Sequence, residues 1–343
     1  MSGEHPAVSA SSAGAATAGP LLARLRRPTS DRHTRLVVLA DLHLTPTEHG
    51  SWKVYHRTVE RTRRAVDAAN DLAPDATLLL GDLTRHGRPE EFAVADDLLS
   101  RLDSPLLSVP GNHDVAKTWD DYPVPSVAEF AASYADGRVP FHRRVGGVDL
   151  LGLDTASADG ALYRSHEGRV GEAQLDWLAR TLPRTETPVV ALHHTLLHPR
   201  RHVGGFPDGD FYQLDDTAAL RELLAAHGAG LVLSGHLHWP ATASVDGLRE
   251  VVAPAVCSFP QAGMVVDVGP RGTEIRLLPL AGPTGVAEAY SHARSGSAHG
   301  QGIAAHADRG YLASFPLVDE QSTVGVRDDA DGRPRPESRV GGR

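Results

Sequence analysis

The 343-residue chain has a formal net charge of −9 and a single cysteine, Cys257. One cysteine excludes an intrachain disulfide, and the acidic balance argues against a general nucleic-acid binder. No apolar run approaches the roughly 20 residues that span a bilayer, and the N-terminus lacks the basic-then-apolar layout of a secretory signal. The expectation is a cytoplasmic protein with no membrane partner. Residues 1–33 are rich in Ala, Ser, Gly and Pro, carry the basic patch Arg24-Leu25-Arg26-Arg27, and read as a mobile leader.

From Arg35 to Pro110, the apolar runs 36–40, 76–80 and 105–109 alternate with two helical stripes. The stripes are Tyr55-Val59-Thr62-Val66-Ala69-Leu72 and Phe92-Ala95-Leu99-Leu102, and Pro89 suits a first helical turn. This is the pattern of parallel strands covered on both faces. Lys117–Pro125, with Trp119 and Tyr122, reads as a packed surface loop rather than a substrate rim. Phe141–Val145 and Val148–Leu153 form a hairpin through Gly146-Gly147, and Asp154 at its end caps the next turn. A helix over Gly171–Leu182 and one bearing Leu220, Leu223 and Leu224 flank further strands at Pro188–Leu192 and Leu231–Ser234. Between them, His198 to Tyr212 is irregular, with Arg200, Arg201, Phe206 and Phe211, and suits a functional lid. Ala281–Arg343 loses periodicity. His292, His299 and His306 recur there every seven residues and read as solvated low complexity, with Tyr311–Val318 as a segment able to dock.

Five strand ends carry the polar groups: Asp41-Leu42-His43, Gly81-Asp82, Gly111-Asn112-His113-Asp114, His193-His194 and Gly235-His236-Leu237-His238. Taken alone, Gly-Asn-His-Asp is an ordinary turn. Five strands delivering Asp, His and Asn to the carboxyl edge, where such sheets bind ligands, make a constructed site. Asp41 and His43 lie two apart, so a strand-like backbone points both side chains the same way, and His236 and His238 repeat the spacing.

In this order the motifs resemble the calcineurin-like metallophosphoesterases, over roughly Arg35 to Leu280. The flanking segments Gly81-Asp82-Leu83-Thr84, Glu90-Glu91-Phe92, Leu153-Asp154-Thr155, Gln174-Leu175-Asp176-Trp177-Leu178 and His193-His194 look most like the class III cyclic nucleotide phosphodiesterases. The resemblance implies an α/β fold, a four-layer αββα sandwich of two mixed β-sheets flanked by helices, over residues 34–280. The leader 1–33 and the low-complexity tail 281–343 lie outside it. It also implies a binuclear metal-dependent phosphoester hydrolase in which a metal-bound hydroxide attacks phosphorus in line. Asp41, His43, Asp82 and His238 would hold the first metal. Asp82 would bridge, and Asn112, His193 and His236 would complete the second. His113 matches the residue that stabilises the pentacoordinate oxygens or protonates the leaving alkoxide, and His194 lines the site or fixes a neighbour.

A nitrogen and oxygen donor set without thiolate fits manganese, iron or zinc. Two departures from the family pattern stand out. Arg85 replaces an Asp that relatives often place three residues after the bridging Asp. It then grips a phosphate oxygen or makes a surface salt bridge, and Asp114 becomes the candidate to support His113. Thr195 follows the paired histidines where many relatives have Pro. The implied substrate is a small phosphodiester, with 3′,5′-cyclic nucleotides among the candidates. Alternatives are a phosphomonoesterase, a glycerophosphodiester or nucleotide-sugar pyrophosphate hydrolase, and a non-catalytic scaffold, which the complete ligand set disfavours. A homodimer is compatible with all of these.

Overall fold

The computed structural model describes residues 18–118, 120–158, 161–162, 168–203 and 212–322. In chain order the strands are β1 (Leu21–Leu25), β2 (Thr34–Leu39), β3 (Ala76–Leu80), β4 (Leu106–Val109), β5 (Phe141–Val145), β6 (Val148–Gly152), β7 (Ser157–Ala158) and β8 (Ala161–Leu162). They continue with β9 (Pro188–Ala191), β10 (Leu231–Ser234), β11 (Ala241–Val245), β12 (Leu248–Val252), β13 (Ala262–Gly269), β14 (Gly272–Pro279) and β15 (Val318–Asp319). The helices are α1 (Thr58–Leu72), α2 (Pro89–Leu99), α3 (Val127–Tyr134), α4 (Glu172–Thr181), α5 (Pro199–His202), α6 (Thr217–Ala226), α7 (Pro283–Ser295) and α8 (Ala298–Asp308). Among the described residues, no helix is long and apolar enough to cross a membrane.

A seven-stranded sheet runs β15-β1-β14-β13-β2-β3-β4, and a six-stranded sheet runs β11-β12-β10-β9-β6-β5. In the first, β2, β3 and β4 are parallel, with Val38 opposite Leu78 and Leu78 opposite Leu107. In the second, β6, β9, β10 and β12 are parallel. These strands are apolar without alternation because both their faces are covered. Leu36, Val38, Leu78 and Leu80 meet Leu150, Val189, Leu233 and Val251 between the sheets. On the outer faces, Val37, Leu39 and Leu79 pack with Ala65 and Ala69 of α1, and Leu151, Val190 and Val232 pack with Leu178 of α4 and Leu220 of α6. The α/β four-layer sandwich is the one expected. The motif strands divide between the two sheets rather than lining one edge, so the site sits where the carboxyl ends of β2, β3 and β4 face those of β9 and β10.

Three boundaries need correction. The leader is structured from residue 18 onward, and residues 1–17 lie outside the described residues. β1 pairs antiparallel with β14, burying Leu22 and Leu25, while Arg24 reaches Glu274 and Asp319, each at 3.1 Å. The tail is likewise built into the fold. α7 and α8 bury Ala289, Ala293, Ile303 and Ala304 against Trp239 and Phe259, and β15 pairs with β1. The family resemblance also implies that paired strands over Ala241–Leu280 close the second sheet; only β11 and β12 extend it, and β13 and β14 belong to the first. Asp154 caps a turn as expected, accepting from the Ala156 amide at 2.8 Å and from Ser157 Oγ. Trp119, Phe206 and Phe211 lie outside the described residues.

Candidate metal centre

The two sheets bring together the seven residues singled out in the five motifs. Asp82 Oδ2 lies 3.4 Å from His43 Nε2 and 3.4 Å from His193 Nε2, midway between two groups of donors. On one side, His43 Nε2 is 3.2 Å from His238 Nε2, which is 3.2 Å from Asp41 Oδ1. On the other, His193 Nε2 is 3.1 Å from Asn112 Oδ1 and 3.0 Å from His236 Nδ1. Asp41, His43, Asp82, Asn112, His193, His236 and His238 are all buried.

The local backbone that achieves this is not strand-like. Asp41, His43, Asp82, His236 and His238 have positive φ, at 53°, 43°, 53°, 64° and 57°. The spacing of two therefore aligns each pair through alternating left-handed turns rather than through a pleat. For non-glycine residues such conformations cost on the order of 1–3 kcal/mol each and cluster at functional sites. The approach of the motif loops also demands glycine. A Cβ on Gly81, at φ +84°, would lie 2.6 Å from the Gly111 amide nitrogen, and a Cβ on Gly111 would collide with Asp82 Oδ1.

The donor set fits cations. Two pairs of imidazole nitrogens face each other at hydrogen-bond distance, and each pair can share at most one proton. Asp41 Oδ1 is buried without a hydrogen-bond donor. A cation in each group satisfies these atoms together. The histidines are prepared for that role: His193 Nδ1 donates to the Leu80 carbonyl at 2.7 Å, leaving Nε2 as the donor atom, and His238 Nδ1 contacts Ser258 Oγ at 2.9 Å. Burial, helped by the neighbouring Lys53 ammonium, pushes His43 well below its ordinary value, and burial also lowers His238. Both stay neutral, the form that binds metal. Burial opposes charge on Asp82 and on His193. Even so, His193, His113 and His43 hold Asp82 well below the usual carboxylate range, and Asp82 and Asp41 raise His193. Cys257 Sγ is 3.7 Å from His238 Nδ1, within 4.8 Å of donor atoms of both His43 and His238, and burial raises its thiol.

His113 sits at the mouth of this cluster. Its amide donates to Asp82 Oδ1 at 2.9 Å, and its ring meets that of His43 edge-on, with centroids 4.6 Å apart. Nδ1 lies 2.5 Å from the Arg85 carbonyl, which can only accept, so Nδ1 carries the proton. The support expected from a carboxylate therefore comes from a backbone oxygen. Asp114 is occupied elsewhere, accepting from Thr84 N at 2.9 Å, Thr84 Oγ1 at 3.0 Å and Gly111 N at 3.0 Å.

For Arg85 and His194, each read with two alternatives, the contacts match the one that does not involve substrate. Arg85 turns its guanidinium to Glu48 and over the Tyr55 ring at 3.8 Å, the salt-bridge alternative. His194 is fully buried behind the cluster, with Nδ1 2.9 Å from Thr155 Oγ1 and its ring 4.5 Å from that of His236.

A cavity of about 200 Å³ opens on the cluster and is lined on its outer side by Trp52, Lys53, Tyr212 and His299. Lys53 Nζ is 2.9 Å from His43 Nε2. Trp52 and Lys53 escaped the sequence reading, and His299 was read there as solvated low complexity. For the first two a signal existed: an aromatic and a basic residue close behind a ligand motif, the same combination that singles out His198–Tyr212.

Residues 34–240 match the model of the calcineurin-like phosphoesterase family. The chain is 27% identical over 245 residues to a probable cyclic nucleotide phosphodiesterase of Rhodococcus erythropolis, an alignment covering 70% of this chain and 76% of that one. It is 29% identical over 211 residues to a cAMP/cGMP dual specificity phosphodiesterase of Mycobacterium tuberculosis, covering 59% of this chain and 60% of that one. Among solved structures, a dimetal phosphatase from Danio rerio superposes with a TM-score of 0.54 at 14% identity, over 72% of this chain and all (100%) of that chain. With the fold, the ordered motifs and the match over residues 34–240 in agreement, the chain belongs to the calcineurin-like phosphoesterases, phosphoric ester hydrolases that work through a dinuclear metal centre.

Proposed function

We propose that the protein is a phosphodiesterase for a small diester, with a 3′,5′-cyclic nucleotide the leading candidate. Two transition-metal ions, manganese, iron or zinc, would be held by Asp41, His43, Asp82 and His238 and by Asp82, Asn112, His193 and His236. The observation that carries the reading is Asp82 Oδ2, 3.4 Å from a histidine of each group and so placed to bridge. Similarity to the two bacterial phosphodiesterases supports the choice of diester.

When bound, such a pair of ions supplies a nucleophile at neutral pH and neutralises charge on the phosphoryl oxygens. The chain does the rest. Asp82 keeps the two groups of ligands in register. The Leu80 carbonyl and the Ser258 hydroxyl orient His193 and His238. His113, its Nδ1 proton committed to Arg85, presents Nε2 as the nitrogen that gains or loses a proton beside the reacting group. Lys53 places a cation at the rim of the same cavity, suited to a phosphate oxygen.

Asp82→Ala should lose both metals by elemental analysis, with activity on bis-p-nitrophenyl phosphate falling to background. One metal retained together with normal turnover would contradict the bridging role. In the wild type, hydrolysis of bis-p-nitrophenyl phosphate should exceed that of p-nitrophenyl phosphate; the reverse order would favour the monoesterase alternative.

A further inference from the structure

We propose that Trp52, Tyr212 and His299 form an aromatic subsite beside the metal cluster that takes the flat heterocycle of a nucleotide-type diester. The proposal rests on the phosphodiesterase reading and adds what part of the substrate the protein recognises.

The three rings come from three separate segments, and each is held in place by its own contacts. Trp52 belongs to the loop after β2. It packs against His238, with centroids 4.9 Å apart, and against His299, at 4.8 Å. Glycines stand where Trp52 passes, Gly296 after α7 and Gly300 in the first turn of α8: a Cβ on either would lie 2.5 or 2.8 Å from Trp52 Cβ. Tyr212 is fixed by Thr195, the residue found where many relatives have Pro. The Thr195 amide and Oγ1 both donate to the Tyr212 carbonyl, each at 2.8 Å. Proline could make neither bond, so this departure from the family pattern positions an aromatic ring at the cavity. His299 reaches in from α8. The Tyr212 hydroxyl lies 2.6 Å from its Nδ1, and Nε2 donates to the Leu237 carbonyl at 3.1 Å, between the two ligand histidines of that loop. Since the carbonyl only accepts, Nε2 carries the proton and Tyr212 is the donor to Nδ1. The ring is a neutral platform stacked on Tyr212, with centroids 5.0 Å apart.

A packing role alone does not account for the exposure. Trp239, a tryptophan used as core, is completely covered, whereas Trp52, Tyr212 and His299 are each only half-buried and line the cavity that opens on Asp82 and His113. Aromatic faces beside a phosphate-binding centre, with the Lys53 ammonium among them, match a ligand that joins a phosphodiester to a planar base. Stacking of this kind tolerates any base and contributes roughly 1–3 kcal/mol, which is about 5- to 150-fold in affinity. His299 lies beyond residues 34–240, so this chain adds the wall from outside the region shared with the family.

The test compares ligands with and without the base. Metal-reconstituted wild type should show at least about tenfold higher kcat/KM for adenosine 3′,5′-cyclic phosphate than for methyl ribofuranoside 3′,5′-cyclic phosphate, with the difference in KM. By titration calorimetry, adenosine 5′-phosphate should bind about tenfold more tightly than ribose 5-phosphate. Trp52→Leu should bring both ratios close to one at unchanged metal content, and Trp52→Phe should restore them. Equal values for the two ligands in the wild type, or ratios that survive in Trp52→Leu, would overturn the subsite. If Trp52→Leu does not fold, the wild-type titrations decide. If neither cyclic diester is hydrolysed while p-nitrophenyl phosphate is, the phosphodiesterase reading fails, and the calorimetric ratio still judges the subsite by itself.

Discussion

His113 stands next to the metal ligand candidate Asn112, yet its own contacts set it apart from metal binding. With Nδ1 protonated against the Arg85 carbonyl, Nε2 can give up a proton only from the imidazolium form. Protonating a leaving alkoxide therefore requires a charged His113, while stabilising negative oxygens requires only a nearby dipole or charge. These roles separate by leaving group. General acid catalysis is typically worth about 10²–10⁴-fold, and p-nitrophenolate hardly needs a proton. His113→Ala should keep both metals, lose turnover by about that factor on an unactivated cyclic diester, and lose far less on bis-p-nitrophenyl phosphate. Equal losses on the two substrates would identify electrostatic stabilisation instead. At this scale the candidate ligands were legible because Asp, His and Asn at strand ends announce themselves by type and spacing. Their supports were not. A backbone carbonyl under His113 leaves no mark in residue identity, and left-handed turns at Asp41 and His43 give the same spacing as a pleat.

Among the elements, β2 to β6, β9, β10, α1, α2, α4 and α6 were readable because each is an apolar run or stripe, whereas the short α3, α5, β7 and β8 went unread. The elements that were missed hide their pattern. β1 is five residues long, shifts register between Leu21 and Ala23, and pairs its one arginine, Arg24, with two acids, so it carries no clean alternation. α7 and α8 bury Ala289, Ala293, Gly300 and Ala304, so their packed stripes are made of small residues that hydrophobic periodicity barely registers. His299 and His306, seven residues apart, lie two helical turns apart on one face of α8, while His292 belongs to α7, so the repeat that looked like low complexity lies in two helices. Reinstating β1 changes what truncation should do. Deleting residues 1–33 removes the buried Leu22 and Leu25, together worth roughly 3–6 kcal/mol, and exposes the edge of β14. That is a large fraction of the 5–15 kcal/mol typical of a domain. The deletion should lower the urea midpoint sharply or yield insoluble protein, and an unchanged midpoint would show that β1 contributes little.

Across the whole molecule, the two ends of the described chain close on each other around the sheets that carry the site. β15 pairs with β1 at Ala23 and Arg24, Arg26 meets Glu320, and Arg249 at the start of β12 joins the same Glu320 at 2.8 Å. The α7–α8 hairpin covers a hydrophobic cluster built on Val54, Leu237, Trp239 and Phe259, and so backs both the loop carrying Trp52 and the loop carrying His236 and His238. All seven candidate ligands precede this hairpin, which separates metal holding from site shape. Ending the chain at Leu280 uncovers Trp239 and Phe259 and removes Ile303, a loss on the order of 5 kcal/mol by area alone. For a chain of this size that corresponds to a fall in melting temperature of about 8 °C. The truncated protein, kept well below its lowered midpoint, should still bind two metals, because Asp41 through His238 remain. Its KM for a nucleotide diester should rise, because Trp52 loses its seat and His299 is gone. Loss of metal stoichiometry in a folded truncation would show instead that the hairpin is needed to hold the ligand loop, through the His299 contact to Leu237.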